Sequence, residues 1–208
     1  MNLIDRAKNM LLASKTEWPK VNAETGSVGT LVPKYTVPLA LVGSLGFLIA
    51  IGLLSKYGTF KAGLLTALLV FVIVVLTTVA AIYIADGIAT SMGAQKNINK
   101  SAQWIVYGFT PLYIIFILGI IPSTDNTLLW IMIIVGFAAS GFVLYQGAPL
   151  LKGTAADKTI AYTAAVVVIS LILFIVLEKL GEKVLQKMLT PKLSDYQDRL
   201  EDAMRRYR

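Results

Sequence analysis

The sequence predicts an all-α, polytopic membrane protein: a bundle of five transmembrane helices with a short amphipathic helix at each end. Of the 208 residues, 56% are hydrophobic and only 15% are charged, whereas soluble domains carry about 25% charged residues. The apolar residues also come in five long blocks that contain no Asp, Glu, Lys or Arg. Each block has about the length that a helix needs to cross a bilayer.

The five blocks are expected to be helical, because in lipid a single uninterrupted segment can satisfy its backbone hydrogen bonds only as a helix. Their polar residues do not recur every three or four positions, as in a soluble amphipathic helix, and they do not alternate as in a membrane barrel. The predicted transmembrane domain covers residues 35–180, with spans at 36–54, 63–85, 104–121, 127–145 and 160–177.

The N-terminal segment, residues 1–34, begins with a predicted amphipathic helix. Asn2 is placed to cap it, with Asp5 at the capping-box position. One face is apolar and the opposite face is polar, with Leu3, Ile4, Ala7, Met10 and Leu11 on the first and Asp5, Arg6, Lys8 and Asn9 on the second. Trp18–Pro19 is expected to end the helical run, because proline lacks a backbone N–H. Either the helix lies in the membrane interface, or its apolar face packs under the bundle.

The C-terminal tail, residues 181–208, contains a second predicted amphipathic helix. Ser194 and Gln197 form a capping box after Pro191, and the apolar residues that follow recur at helical spacing, namely Leu193, Tyr196, Leu200, Ala203 and Tyr207. Two heptads are too few to indicate a coiled coil. We therefore expect the tail to dock on the protein or to fray, rather than to self-associate.

The distribution of basic residues predicts the orientation. Nine Lys and Arg residues lie on the N-terminal side of the predicted spans and six on the other side, leaving out four in the distal tail. The positive-inside rule then favours a cytoplasmic N-terminus, and five spans would place the C-terminus on the exoplasmic side. Residues 1–12 have charges within a short apolar run, so we expect no cleaved signal peptide.

Composition excludes several kinds of chemistry. The chain has no His and no Cys, so catalytic triads, thiol nucleophiles and imidazole or thiolate zinc sites cannot form within it. No phosphate-binding glycine motif occurs, and the carboxylates do not cluster. We therefore expect no catalytic, cofactor-binding or metal-binding residues and no enzymatic activity. The net charge is +7, and the basic residues are scattered along the predicted membrane edges. This distribution favours anionic headgroups over nucleic acid as partners.

The candidates for function near or within the spans include a proline kink and a carboxylate. Pro111 lies in the third predicted span, where its ring pushes against the carbonyl of Tyr107. This predicts a kink whose freed carbonyl must find a neighbouring helix, a hydroxyl or water; the kink is either a functional hinge or a structural feature of the bundle. Asp86 directly follows the second block. Intramembrane carboxylates are usually functional, whereas interfacial ones mark the boundary of a span.

Several motifs, in their order along five spans, resemble the Yip family of Ypt/Rab-interacting membrane proteins and especially its short bacterial members. They are Trp18–Pro19, Pro38–Leu39, Tyr107 with Pro111, Pro122 after the third span, and Tyr145 with Gly147. The resemblance implies five spans, a cytoplasmic N-terminus and a bacterial cytoplasmic (inner) membrane. Eukaryotic members have a long cytosolic region associated with binding prenylated small GTPases. The segment before the first span is short here, so that partner is not carried over.

The sequence thus predicts a non-enzymatic protein that organises the membrane or scaffolds a partner. The expected partners are the lipid bilayer and a cytoplasmic protein, bound through the N-terminal segment and the polar loop 90–100. The candidate site residues are Asp86, Tyr107, Pro111, Pro122, Tyr145 and Gly147. The alternative is a channel or transporter subunit with a polar route near Asp86 and the Pro111 kink. An enzyme embedded in the membrane is a more distant third.

Overall fold

The computed structural model describes residues 2–56, 58–118 and 126–190, and the regular structure within those ranges is helical. Pro122 and the predicted helix in 191–208 lie outside the described residues. The helices are α1 (Leu3–Leu12), α2 (Ser14–Ala23), α3 (Val28–Leu31), α4 (Val37–Phe47), α5 (Phe60–Gly87), α6 (Ile98–Gly108), α7 (Thr110–Ile117), α8 (Asn126–Lys152) and α9 (Ala156–Leu189). A π-helical turn at Val32–Thr36 joins α3 to α4, and a second one, Leu48–Leu54, extends α4.

Four helices among the described residues are long and apolar enough to cross a membrane: Val28–Leu54, Phe60–Gly87, Thr127–Lys152 and Ala156–Leu189. They contain the first, second, fourth and fifth predicted spans, so the chain is a polytopic helical membrane protein. The predicted third span corresponds to α6 and α7, which are separate helices and individually too short to cross a bilayer. The total of five spans therefore stays a prediction.

The break between α6 and α7 lies where the sequence predicts a kink. Helix α6 ends at Gly108, Phe109 has a non-helical ψ of 7°, and Pro111 is within the first two residues of α7. The Tyr107 carbonyl accepts a hydrogen bond of 2.5 Å from the Thr110 hydroxyl. The Thr110 side chain thus donates the hydrogen bond that Pro111, which has no N–H, cannot donate to this carbonyl.

Helices α6 and α7 form the centre of the bundle. Every residue from 101 to 113 is buried, and the pair runs antiparallel to α8. The Trp104 indole donates to the Leu144 carbonyl at 2.7 Å, and further along the pair the Leu112 N–H donates to the Ser140 hydroxyl at 3.3 Å. The long helices around this centre expose large apolar side chains such as Leu68, Ile131 and Ile172, as expected where lipid is the solvent.

Helices α1 and α2, which together we term the N-terminal cap, cover one end of this bundle. The predicted cap of α1 is confirmed, since the Asn2 side chain accepts a hydrogen bond of 2.8 Å from the Asp5 N–H. The expectation that Pro19 ends the helical run is wrong, because α2 continues through it to Ala23. Pro19 and Lys15 are both exposed, so water can reach the carbonyl that lacks its helical donor.

Candidate functional site at the capped end of the bundle

Trp18 is the main apolar contact between the N-terminal cap and the bundle. Its side chain is fully buried, and its indole N–H donates to the Val143 carbonyl of α8 at 3.0 Å. The ring lies directly on Gly147, where an added Cβ would be 2.5 Å from a ring carbon. Only glycine allows this approach, so Gly147 and Trp18 form a matched pair across the two elements.

Arg6 is the charged centre of the cap. It is only 5% exposed and its guanidinium pairs with Glu17, which is also buried, at 2.9 Å and with Glu24. The guanidinium also lies 5.1 Å from the centre of the Tyr107 ring, within the range of a cation–π interaction. These contacts tie α1 to α2 and both helices to α6.

Polar side chains of α6 complete the attachment of the cap. The Gln103 amide donates to the carbonyls of Val21 and Glu24 at 3.0 and 2.8 Å. The Lys100 amine donates to the carbonyl and the side-chain oxygen of Asn22 at 2.7 and 2.9 Å. Because Gln103 is buried, these bonds replace water that the site excludes.

Asp86, Ser101 and Lys152, which we term the Asp86 cluster, lie at the same end of the bundle. The Lys152 amine is 3.6 Å from an Asp86 carboxylate oxygen and donates to the Ser101 hydroxyl at 2.6 Å. The Ser101 hydroxyl in turn donates to Asp86 at 3.0 Å. Lys152 has no exposed surface and Asp86 is 7% exposed. Charges taken out of water need such partners, and the cluster joins α5, α6 and α8.

The loop between α5 and α6 is fixed by the same groups. The Asn97 N–H donates to the Asp86 carboxylate at 2.8 Å, and the Gln95 N–H donates to the Lys152 carbonyl at 2.7 Å. The Gln95 side chain packs on Gly153, whose φ of +59° is a left-handed conformation that glycine adopts without strain. The loop and the turn between α8 and α9 therefore form one surface beside the cap.

A group of hydroxyls lies deeper in the bundle, beside the α6–α7 break. Tyr35 and Thr36 come from the π-helical turn Val32–Thr36, and bond to Thr110 at 2.8 Å and to Tyr113 at 3.1 Å. The Tyr113 hydroxyl also bonds to Thr78 at 3.1 Å. Each of these hydroxyls has a protein partner, so the group links the first span, α5 and α7 without requiring water.

The comparisons with known proteins identify the family of this chain. A family model described as the Yip1 domain matches residues 8–177. The chain belongs to the Yip1 domain family. No curated protein sequence matches it, and no solved structure does. The matched region begins within α1 and ends within α9, so the Yip1 domain of this protein includes most of the cap, the Asp86 cluster and the α6–α7 break.

The candidate residues do not converge on one cavity of the Yip1 domain. Tyr107 and Gly147 both contact the cap, and Asp86 lies in its cluster at the same end. Pro111 lies in the break, deeper in the bundle. Tyr145 is 42% exposed on the outer surface of α8, and Pro122 is outside the described residues. Within the described ranges, no group of three or more Asp or Glu side chains is arranged to hold a metal ion.

Three buried charged residues, Arg6, Glu17 and Lys152, were not predicted as site residues from the sequence. The sequence pattern places Arg6 on the polar face of α1, but Arg6 is next to the apolar stripe and turns inward to reach Glu17. From the sequence, Lys152 counts only as a basic residue of a loop. One available signal was that Lys152 and Asp86 follow apolar blocks on the same predicted side of the membrane, where opposite charges can pair.

Proposed function

We propose that this protein is a non-enzymatic scaffold that crosses the membrane five times and recruits a cytoplasmic protein at its capped end. In this proposal α6 and α7 together form the third crossing, and the membrane is the bacterial cytoplasmic membrane. The observation that carries the proposal is the attachment of the cap. Buried Arg6, Glu17 and Trp18 hold α1 and α2 on the bundle, whereas a helix that only lies in the interface needs no buried ion pair.

The charges on the capped end indicate what kind of partner fits it. Exposed basic residues outnumber exposed acidic ones on α1, α2 and the residue after it, the α5–α6 loop and the start of α9. The basic residues are Lys8, Lys15, Lys20, Lys96 and Lys158, and the acidic residues are Asp5, Glu24 and Asp157. Such a surface attracts an acidic protein face. It also attracts anionic headgroups, at about 1 kcal/mol per basic residue close to the membrane.

The packing of the bundle gives less support to the alternative, a channel or transporter subunit. A polar route from Asp86 to Pro111 would have to pass the side chains of α6 and of the α6–α7 break that lie between them. Trp104, Ile105 and Phe109 have no exposed surface, and the Trp104 ring stacks on Tyr162 at 5.1 Å between centres. Apolar contacts at native density leave little space for a solute.

Photocrosslinking in native membranes tests the recruitment. A photoreactive amino acid replaces Thr90, which is exposed in the α5–α6 loop, and crosslinked proteins are identified. The variant Gly147→Ala introduces a methyl group 2.5 Å from the Trp18 ring, and overpacking of this kind costs about 1–3 kcal/mol. We expect the cap to detach, which limited proteolysis of residues 3–23 reports, and the crosslink to disappear.

The matched control is Gly141→Ala in the same helix, where a Cβ would be 3.4 Å from Val167, an ordinary contact. We expect this variant to keep both the cap and the crosslink. If limited proteolysis shows that the cap has detached and the crosslink nevertheless persists, the cap does not recruit the partner. Solute or ion flux through reconstituted vesicles that Asp86→Asn abolishes would instead support the channel.

A further inference from the structure

Helix α1 has a second apolar face that the bundle does not cover. Its buried face is centred on Met10, which has no exposed surface. Leu11 projects about 100° and Ile4 about 120° from Met10, on the same side of the helix. Ile4 is 74% exposed and Leu11 is 39% exposed, and Leu12 at the end of the helix is 76% exposed. We term Ile4 and Leu11 the open flank of α1.

The opposite side of the buried face belongs to the interior of the cap. Arg6 projects about 40° from Met10 in the other direction, and its guanidinium pairs with Glu17 of α2. A helix that lies alone in a membrane interface places its whole apolar sector in lipid. Helix α1 instead divides its apolar sector between the bundle and the open flank.

The contacts of the cap place α1 near the ends of the apolar spans. The Arg6 guanidinium lies 5.1 Å from the centre of the Tyr107 ring, and Tyr107 is within the first turn of the third predicted span. The Trp18 indole bonds to Val143, which is within the last turn of the fourth predicted span. Tyr145 is exposed at the end of that span, and tyrosine and tryptophan are enriched where headgroups meet hydrocarbon. The cap therefore lies at this boundary.

The order of residues around α1 fits the same boundary. Lys8 is exposed and projects about 40° beyond Ile4, and the exposed Asp5 follows about 60° beyond Lys8. The helix surface thus changes from apolar to basic and then to acidic. Lysine at the edge of an apolar face is typical of interfacial helices, because its apolar stem stays beside the acyl chains while its amine reaches the headgroups.

We propose that the open flank of α1 inserts between the phospholipids of the leaflet at the capped end, and that the Lys8 amine pairs with an anionic headgroup phosphate. The surface proposed for recruitment is further from the bilayer centre. Lys152, whose carbonyl bonds to the α5–α6 loop, is about 13 Å beyond Val143 along α8. Lipid on α1 and a protein on the loops can therefore bind together, so this inference does not depend on the proposed recruitment.

Fluorescence quenching tests the insertion in the full chain. The chain has no cysteine, so a single introduced thiol can carry a nitrobenzoxadiazole label. The purified protein is reconstituted in phosphatidylethanolamine and phosphatidylglycerol vesicles that contain a lipid with a nitroxide near the ester end of one acyl chain. We expect the nitroxide to quench the label on Ile4→Cys and Leu11→Cys. The label on Asp5→Cys, the matched position of α1, should be quenched less, and the label on Thr90→Cys should not be quenched.

Charge reversal tests the contact of Lys8 with phosphate. With the label on Leu11→Cys, Lys8→Glu should lower the ratio of inserted to detached flank, as the quenching reports it, at least about fivefold, the effect of one basic residue at an anionic surface. The matched control is Lys183→Glu on the exposed surface of α9, which should leave the quenching unchanged.

Three results would overturn the proposal. The labels on Ile4→Cys and Leu11→Cys could be quenched no more than the label on Thr90→Cys; because the vesicles contain no other protein, the open flank would then be left for a protein partner. Lys8→Glu could have no more effect than Lys183→Glu. Finally, unlabelled Leu11→Cys could form a disulfide-linked dimer in the vesicles, which would assign the open flank to a second copy.

Discussion

The Asp86 cluster illustrates how a single buried charge constrains the surrounding structure. The Lys152 amine has no exposed surface, and it contacts the side chains of Asp86 and Ser101. Such a pair adds little net stability compared with apolar residues, but removing one partner leaves an uncompensated charge. We therefore expect its main effect to be specificity, because an arrangement of α5, α6 and α8 that separated Asp86 from Lys152 would bury an unpaired charge.

A double-mutant cycle measures this coupling. We expect Lys152→Met to lower the free energy of unfolding by about 3–5 kcal/mol, because Asp86 loses its cationic partner while it stays largely buried. Adding Asp86→Asn should restore part of that loss, since the remaining amide is neutral. Chemical unfolding in detergent micelles, followed by tryptophan fluorescence, gives the change in the free energy of unfolding for each single variant and for the double variant.

The control for this cycle is Lys183→Met on the exposed surface of α9, which should change the free energy of unfolding by no more than about 0.5 kcal/mol. If the changes in the free energy of unfolding caused by Lys152→Met and Asp86→Asn were strictly additive, the two side chains would not stabilise each other.

The interruption between α6 and α7 is the element that most shapes the core. Pro111 removes one helical donor, and Thr110 supplies a substitute to the Tyr107 carbonyl while its hydroxyl also bonds to Tyr35. A single threonine thus satisfies the break and links it to the first span. An unpaired member of the set of hydroxyls around this threonine would destabilise the fold, because the interior has a low dielectric constant.

Thr110→Val tests this role of the threonine. The substitution keeps the shape but leaves the Tyr107 carbonyl and the Tyr35 hydroxyl short of a partner, so the free energy of unfolding should fall by about 1–3 kcal/mol. Thr77→Val is the matched control, because the Thr77 hydroxyl is buried without a hydrogen-bond partner. That variant should be neutral or slightly stabilised in the same unfolding experiment, and an equal loss in both would contradict the assigned role.

At this scale, local sequence predicts some features and leaves others open. The Asn2 cap and the break at Pro111 were predictable, because both depend on residues within one or two turns. Docking of α1 and α2 was not, since an apolar stripe indicates a buried face but not the surface that covers it. The same limit applies to the pairing of Asp86 with Lys152 and of Arg6 with Glu17, which depends on contacts that helical periodicity does not contain.

Over the whole molecule, the cap and three connections among the described residues sort to two ends of the bundle. The cap, the α5–α6 loop and the α8–α9 turn share one end, as their hydrogen bonds show. The connection between the first span and α5 belongs to the other end, where the Lys61 amine reaches the Met188 carbonyl of α9 at 3.4 Å. We therefore predict that α6 and α7 together cross the bilayer as the third of the five proposed spans.

Cysteine labelling tests that arrangement, because any introduced cysteine is the sole thiol of the chain. Exposed positions at both ends are suitable: Thr90→Cys and Ala155→Cys at the capped end, and Ser55→Cys and Thr190→Cys at the other. We expect a membrane-impermeant maleimide to reach the first two from one side and the last two from the opposite side of sealed vesicles. If the thiols of Thr90→Cys and Ala155→Cys were accessible from different sides, α6–α7 would be excluded as a crossing.

The contact between Trp18 and α8 has a consequence for biosynthesis. The indole bonds to a carbonyl that is 125 residues further along the chain, and a ribosome that adds about 5–20 residues per second needs roughly 6–25 seconds to make that stretch. During this time the cap has no finished surface to bind. The cap is therefore made before the helix on which it docks, so a chain truncated before α8 would leave Trp18 exposed to proteases and chaperones.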